Sequence, residues 1–238
     1  MGWFAARPPG LPFADRAEAG RKLAEHLASR EGGAPGVTPV AELSRGRAIV
    51  LGIPRGGVPV AAAVANALGL PLDVLVAHKL GAPGEPELAI GAVAADGTVL
   101  VEPWAHEIVG GDEAYVQRSA EAEIARARRR EAVLRGGRPA PDLAGRTAII
   151  VDDGIATGAT MHVAILAARA AGARRVVVAS PVGASESIAT LRGVADEVVV
   201  LAAPDPFYAV GEFYIRFDQV DDGEVAALLA AGADGERG

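Results

Sequence analysis

Along most of the chain, short unbroken apolar runs alternate with segments in which apolar residues recur every three or four positions. The runs Ala48–Leu51, Leu72–Ala77, Thr147–Val151, Arg175–Ala179 and Glu197–Leu201 are too short for helices, and their continuous apolar character predicts strands buried on both faces. Between them the helical period returns. Asp15 caps a helix carrying Ala17, Leu23, Ala24, Leu27 and Ala28 at helical spacing, which ends before Gly32-Gly33 and is followed by a Gly/Pro-containing linker. Pro59–Leu68 is an Ala-rich helix stopped by Gly69, Asp112–Leu134 a long polar helix, and Ala159–Ala171 a helix ended by Gly172. Ser185–Leu191 is a short helix with Ser185 as its N-cap. Alternation around Asp96-Gly97 within Ile90–Val101 adds an antiparallel hairpin. Strands alternating with helices predict the α/β class, a doubly wound and mostly parallel sheet.

The pattern changes at Pro204, giving way to a Pro-rich loop, an aromatic segment and a short helix over Asp222–Ala231. We divide the chain accordingly into a core over 1–203, which includes the N-terminal helix, and an accessory cap over 204–238 with a frayed polar tail after Gly232. The apolar stretch Val58–Ala77 is not a membrane span, because Asn66, Gly69-Leu70-Pro71 and Asp73 break it into helix, turn and strand. Met1–Leu11 has one Arg, a Pro-Pro-Gly and no long apolar stretch, unlike a secretory signal; the cytoplasm is the expected compartment.

Composition narrows the chemistry. Half of the 238 residues are hydrophobic but only 4% aromatic, so Ala, Val, Leu and Ile must build the core. A net charge of −7 argues against a nucleic-acid partner, though not against a small anion bound by local cations and backbone N–H groups. The absence of cysteine removes disulfides, thiolate nucleophiles and Cys-ligated zinc. His26, His106 and His162 have no metal-ligand spacing, and the Arg126–Arg130 run, flanked by Glu121, Glu123 and Glu131, reads as a solvated helix face.

The strongest chemical signal is Ala148-Ile-Ile-Val-Asp-Asp-Gly-Ile-Ala-Thr-Gly-Ala-Thr160, in which a buried strand ends in two carboxylates and a Gly/Thr-rich turn opens a helix. In an open α/β sheet that junction lies at the ligand-binding edge. Gly154 and Gly158 permit close backbone approach, the helix N-terminus offers unpaired N–H groups to a phosphate, and Thr157 and Thr160 add hydroxyls. Asp152 and Asp153 would repel a phosphate but suit vicinal hydroxyls or a divalent cation. A ribose 5-phosphate carries both halves. Two other strands end in similar chemistry: Gly52-Ile-Pro-Arg55-Gly56-Gly57, and His78-Lys79-Leu80-Gly81 followed by a hinge-rich segment to Glu87. No P-loop or dinucleotide fingerprint is present, and Gly183-Ala-Ser185-Glu-Ser187 lacks the last glycine of a nucleophile elbow.

The first of these runs resembles, at every position, the signature of the type I phosphoribosyltransferases, in the version with Ala before Thr-Gly. The similarity extends from Phe13-Ala-Asp-Arg-Ala-Glu-Ala-Gly20 to Phe207-Tyr208. The resemblance implies 5-phosphoribosyl-1-pyrophosphate (PRPP) as donor, with Asp152 and Asp153 on the ribose hydroxyls and Ile155, Ala156, Thr157, Gly158, Ala159 and Thr160 around the 5-phosphate. It implies that the N–H groups of Arg55, Gly56 and Gly57, with the Arg55 side chain, meet the pyrophosphate, and that Lys79 neutralises the leaving group. Two Gly and two Pro in the short polar segment Leu80–Glu87 predict, on physical grounds, a mobile loop that closes over the ligand. His78 stands where Arg is more usual. By the same resemblance the cap is a hood over the acceptor, where Phe207, Tyr208 and Tyr214, from a segment holding five of the eight Phe and Tyr residues, could stack on a planar ring. Magnesium is the implied cofactor, held by Asp152 and Asp153 directly or through PRPP and water. Ala156 replaces the base-directed Asp of hypoxanthine-type enzymes, so an acid–base group must come from the hood or the substrate. The expected partners are PRPP and a small-molecule acceptor, with neither nucleic acid nor membrane, and a homodimer is one option for the assembly. The alternative is a non-catalytic PRPP- or nucleotide-binding regulator of the same fold; hydrolysis of PRPP or a nucleotide is a further enzymatic option.

Overall fold

The structure, a computed structural model, describes residues 10–29, 47–110 and 112–234. The Gly32-Gly33 stop, the linker after it and residues 1–9 and 235–238 lie outside the described residues.

Asp15 caps α1 (Arg16–Ser29) as expected, its Oδ1 accepting from the Glu18 N–H at 2.9 Å. The chain then runs through β1 (Ala48–Gly52), α2 (Gly57–Leu68), which ends at left-handed Gly69, and β2 (Leu72–Val74). β6 (Thr147–Val151), α5 (Ala159–Ala170), β7 (Arg175–Val182), α6 (Ser185–Arg192) and β8 (Glu197–Ala202) complete the core. All pairings among these strands are parallel, in the order β2-β1-β6-β7-β8. Every residue of β1 and β6 is buried, which explains why both read as unbroken apolar runs. The sheet separates two apolar layers, with Val50 and Ile149 on one face and Leu51 and Ile150 on the other.

Two expectations need correction. Leu72–Ala77 is not one strand: β2 ends at Val74, Leu75 and Val76 are buried in the crossing, and β3 (Ala77–Ala82) enters a separate antiparallel sheet with β4 (Glu85–Ala94) and β5 (Val99–Val101). The segment after Lys79 is not a hinge-rich loop either. Its Pro83-Gly84 forms a two-residue turn, with Gly84 at φ +76°, that folds β4 back on β3, and Leu80 is fully buried opposite Gly91. The Asp96-Gly97 hairpin forms between β4 and β5 as expected. α3 (Ala105–Val109) was not foreseen. α4 (Glu113–Leu134) starts from the Asp112 cap, and its arginines are not simply solvated: Arg128 Nε donates to the Ala95 carbonyl at 2.7 Å and Arg130 pairs with Asp222 at 2.8 Å. Ala184, not Ser185, occupies the N-cap of α6.

After β8 the chain makes a 3-10 turn (Val210–Phe213) and α7 (Asp222–Asp234). Phe13 pairs with Tyr214 across this segment, and Phe13, Phe207, Phe213 and Tyr214 share one small apolar cluster with Val182. No helix among the described residues is long and apolar enough to cross a membrane.

Candidate functional site

β6 delivers the acidic pair. After the buried Val151 the chain leaves the sheet, and the backbone N–H of Asp153 donates to Asp152 Oδ1 at 2.8 Å. Burial pushes the Asp152 carboxyl well above the usual carboxylate range, and the neighbouring negative charge of Asp153 adds to the shift. Asp153 is gripped from two remote directions: Arg16 Nε donates to its Oδ2 at 2.8 Å, and the Tyr214 hydroxyl donates to its carbonyl at 2.6 Å. Burial, reinforced by the Asp153 charge, raises the Tyr214 pKa, so the phenol stays a donor.

Beyond the pair the turn is built for close approach. A Cβ on Gly154 would lie 2.4 Å from Cγ1 of Val210, so only glycine lets the 3-10 turn sit on the loop. Ile155 is pinned to the end of β7, its N–H donating to the Val182 carbonyl at 3.0 Å, which removes that N–H from the set foreseen for a phosphate. Ala156 and Thr157 are exposed, and Ser187 Oγ braces the Ala156 carbonyl at 2.6 Å. Gly158, at φ +79°, turns the chain into α5, whose first N–H groups, including those of Ala159 and Thr160, have no intrahelical acceptor. A positive helix end therefore opens beside the carboxylates.

The loop after β1 lies against this turn. A Cβ on Gly56 would stand 1.9 Å from Asp153 Oδ2, and one on Gly57 would stand 2.7 Å from the Val151 carbonyl oxygen, so both glycines exist to let the loops touch. The Gly57 N–H is engaged by the Ile53 carbonyl at 3.0 Å, which corrects the expectation that it is free for an anion. The Pro54–Arg55 peptide is cis and the Arg55 side chain is exposed.

From the other side, β3 contributes His78 and Lys79. His78 Nδ1 lies 3.1 Å from Glu123 Oε2 on α4, while Glu123 Oε1 accepts from Arg126 at 2.6 Å. A cleft of about 510 Å³ is lined by Gly56, His78, Lys79, Glu123, both aspartates and Thr160, with Arg55 outside its lining. It therefore opposes a cation to a carboxylate pair and a helix N-terminus, an arrangement suited to a ligand carrying both anionic groups and hydroxyls.

The aromatic candidates are distributed differently. The Phe207 ring packs on Phe213 at 5.1 Å, and Tyr214, 6% exposed, lies between Phe13 at 5.7 Å and Phe217 at 5.0 Å. Tyr208 is 78% exposed, and none of the three lines the cleft. Arg16 and Glu123 were missed by sequence reasoning. Arg16 had one signal: a cation in the first turn of a helix opposes the dipole and calls for an acid elsewhere. Glu123 had none, being one of several acids on a polar helix. Among the described residues no group of three or more His, Cys, Asp or Glu could hold a metal ion.

Comparisons with known proteins point to one family. The profile of the phosphoribosyl transferase domain matches residues 39–212. Two Mycobacterium tuberculosis sequences, whose name of phosphoribosyl transferase is provisional, are each 46% identical over 220 residues; the match takes in 91% of this chain but 46% of theirs. The chain thus spans about half the length of these relatives. A crystal structure from Thermus thermophilus superposes with a TM-score of 0.75 at 42% identity, covering 93% of this chain and 99% of the other.

Proposed function

The chain belongs to the phosphoribosyl transferase domain family, and on that footing we propose that it transfers the 5-phosphoribosyl group of PRPP to a small-molecule nucleophile, in the first instance a nitrogenous base, releasing pyrophosphate. The observation that carries this reading is the contact between two glycine-opened loops at the acidic pair, Gly56 against Asp153 and Gly57 against the Val151–Asp152 backbone, with Lys79 on the same cleft.

In this reading Asp152 and Asp153 accept hydrogen bonds from the two ribose hydroxyls. The N–H groups and hydroxyls from Ala156 to Thr160 hold the 5-phosphate at the α5 N-terminus, alongside Gly154. Gly56 and Lys79 face the pyrophosphate, where a positive group contributes most as negative charge develops on departure, and the exposed Arg55 side chain would have to turn in from outside the cleft to pair with it. The bond from ribose C1 to the pyrophosphate oxygen breaks as the bond from C1 to the acceptor nitrogen forms, and the proton of that nitrogen leaves to water or to a basic group of the substrate.

The residues fit magnesium in one way only. Two adjacent carboxylates, one already engaged by Arg16, offer too few ligands for an all-protein cage, but Mg²⁺ is commonly held by one or two carboxylates with phosphate oxygens and water completing the shell. When bound it supplies neutralisation of the leaving charge, and Asp152 and Asp153 would hold it directly or through water.

The test is a screen for PRPP-dependent pyrophosphate release over bases and small amines, paired with PRPP calorimetry with and without magnesium. Release with one acceptor class is the expected result. PRPP binding without release in any mixture would leave the regulatory reading, and absence of PRPP binding would remove both.

A further inference from the structure

Arg16 belongs to neither glycine-rich loop, yet it is the side chain through which the N-terminal helix reaches the acidic turn. At the first position of α1 its charge faces the positive end of the helix dipole, so its placement must be stabilised from outside the helix. Its Nε donates to Asp153 Oδ2 at 2.8 Å, its Nη1 donates to the Asp218 carbonyl at 2.7 Å, and its guanidinium carbon lies 3.9 Å from the centre of the Phe217 ring. The two partners of the ion pair are 12% and 13% exposed. Three stretches remote in sequence meet at this one guanidinium: α1, the turn after β6 and the segment after the 3-10 turn.

The grip on Asp153 is one-sided. Oδ2 is the atom Arg16 binds and the atom against which Gly56 leaves no room for a Cβ. The backbone N–H of the same residue is fixed on Asp152 and its carbonyl on Tyr214. The Asp153 carboxyl also meets that of Asp152 in a side-chain hydrogen bond, and both residues line the cleft. We infer that Arg16 is a positioning residue: by holding Oδ2 it fixes the orientation in which the Asp153 carboxylate, beside that of Asp152, meets a ribose hydroxyl in the cleft, and through Phe217 and Asp218 it makes that orientation depend on the seating of the hood. The diol subsite is complete only with the N-terminal helix and the hood in place. Lysine cannot replace it fully, because a point charge lacks the planar fork that spans Asp153 and the Asp218 carbonyl. This rests on the phosphoribosyl reading of the turn.

The experiment is a double-mutant cycle on the full chain, read by calorimetry with ribose 5-phosphate and separately with inorganic pyrophosphate. Arg16→Gln should weaken ribose 5-phosphate about tenfold while pyrophosphate changes by less than about twofold. In an Asp153→Asn background the same substitution should cost less than about twofold, since no carboxylate remains to be held. Arg16→Lys should recover only part of the loss, and it replaces the Gln variant in the cycle if that variant does not fold. Equal losses in both backgrounds would show Arg16 touching the ligand itself, and equal losses for both ligands would show a collapsed site; either result overturns the inference. So does a Gln variant that binds ribose 5-phosphate like the parent. A parent that binds pyrophosphate but not ribose 5-phosphate instead removes the phosphoribosyl reading, and the inference falls with it.

Discussion

Gly56→Ala adds one methyl group at the tightest approach between the two loops. An ideal Cβ there lies 1.9 Å from Asp153 Oδ2 and 2.7 Å from its Cγ, whereas ordinary contact begins at 3.4 Å. The glycine's own φ of −62° is one that alanine adopts freely, so the effect is steric rather than conformational. Something must move by about 1.5 Å. The loop is tied on both sides of the substitution, by Gly57 N–H to Ile53 and Val58 N–H to Arg55, so the carboxylate is the part that yields. That displacement takes Oδ2 out of reach of Arg16, forfeiting a charge-assisted hydrogen bond of about 1.5–3 kcal/mol, discounted because both groups lie beside an open cleft. The net loss of stability should be about 2 kcal/mol. Binding should suffer more, because the displaced carboxylate turns into the space of the ribose: PRPP affinity should fall about 100-fold, equivalent to about 2.7 kcal/mol. Urea unfolding followed by circular dichroism measures the first quantity, and calorimetry with PRPP and magnesium the second. Parent-like PRPP affinity in the folded variant would refute the placement of Asp153 in the diol subsite. A stability loss above about 5 kcal/mol would show that backbone, not carboxylate, gave way.

Gly57→Ala meets backbone instead, the Val151 oxygen at 2.7 Å and the Asp152 Cα at 2.9 Å, so it should cost more stability than Gly56→Ala; the reverse order in urea midpoints would contradict the packing described. Tyr214→Phe keeps the ring but leaves the Asp153 carbonyl unpaired in a buried setting, for a loss of about 1–2 kcal/mol, and an unchanged midpoint would show the hydroxyl contact to be idle. The Asp152 carboxyl has its pKa raised above 3.8 in the folded protein, so its stabilising contribution is present below that value and is lost as pH rises through the folded value. Asp152→Asn should therefore gain Tm relative to the parent as pH rises above 3.8 in metal-free buffer, and a difference independent of pH would oppose this sign. Lys79 is exposed, so Lys79→Ala should leave stability within about 0.5 kcal/mol while weakening pyrophosphate about tenfold at low salt; parent-like affinity would remove it from the site.

What the sequence determined by itself was local. β6, the Gly158 entry into α5, the Asp15 cap and the Asp96-Gly97 hairpin were all legible, because each depends on side chains and dihedrals within a few residues. The two glycine-rich loops were legible for the same reason: a glycine-rich turn between a strand end and a helix start is a local pattern. Where the chain goes between sheets was not. Leu72–Ala77 reads as one apolar strand, since hydrophobicity marks burial but not the partner, and only the packing of Leu75 and Val76 shows the chain crossing to the second sheet. The glycines and prolines after Lys79 fit a loop and a tight hairpin equally well, until Leu80 is seen buried opposite Gly91. The aromatic segment reads equally as a ring-binding surface or a core, and only the fold shows Phe13 reaching Tyr214 from the far end of the chain while Tyr208 stays exposed. Arg16 and Asp153 stand 137 positions apart, and their pairing exists only because α1, the sheet edge and the hood converge on one point. Tertiary structure alone selects such partners, since an ion pair across the fold leaves no trace in the spacing of residues along it.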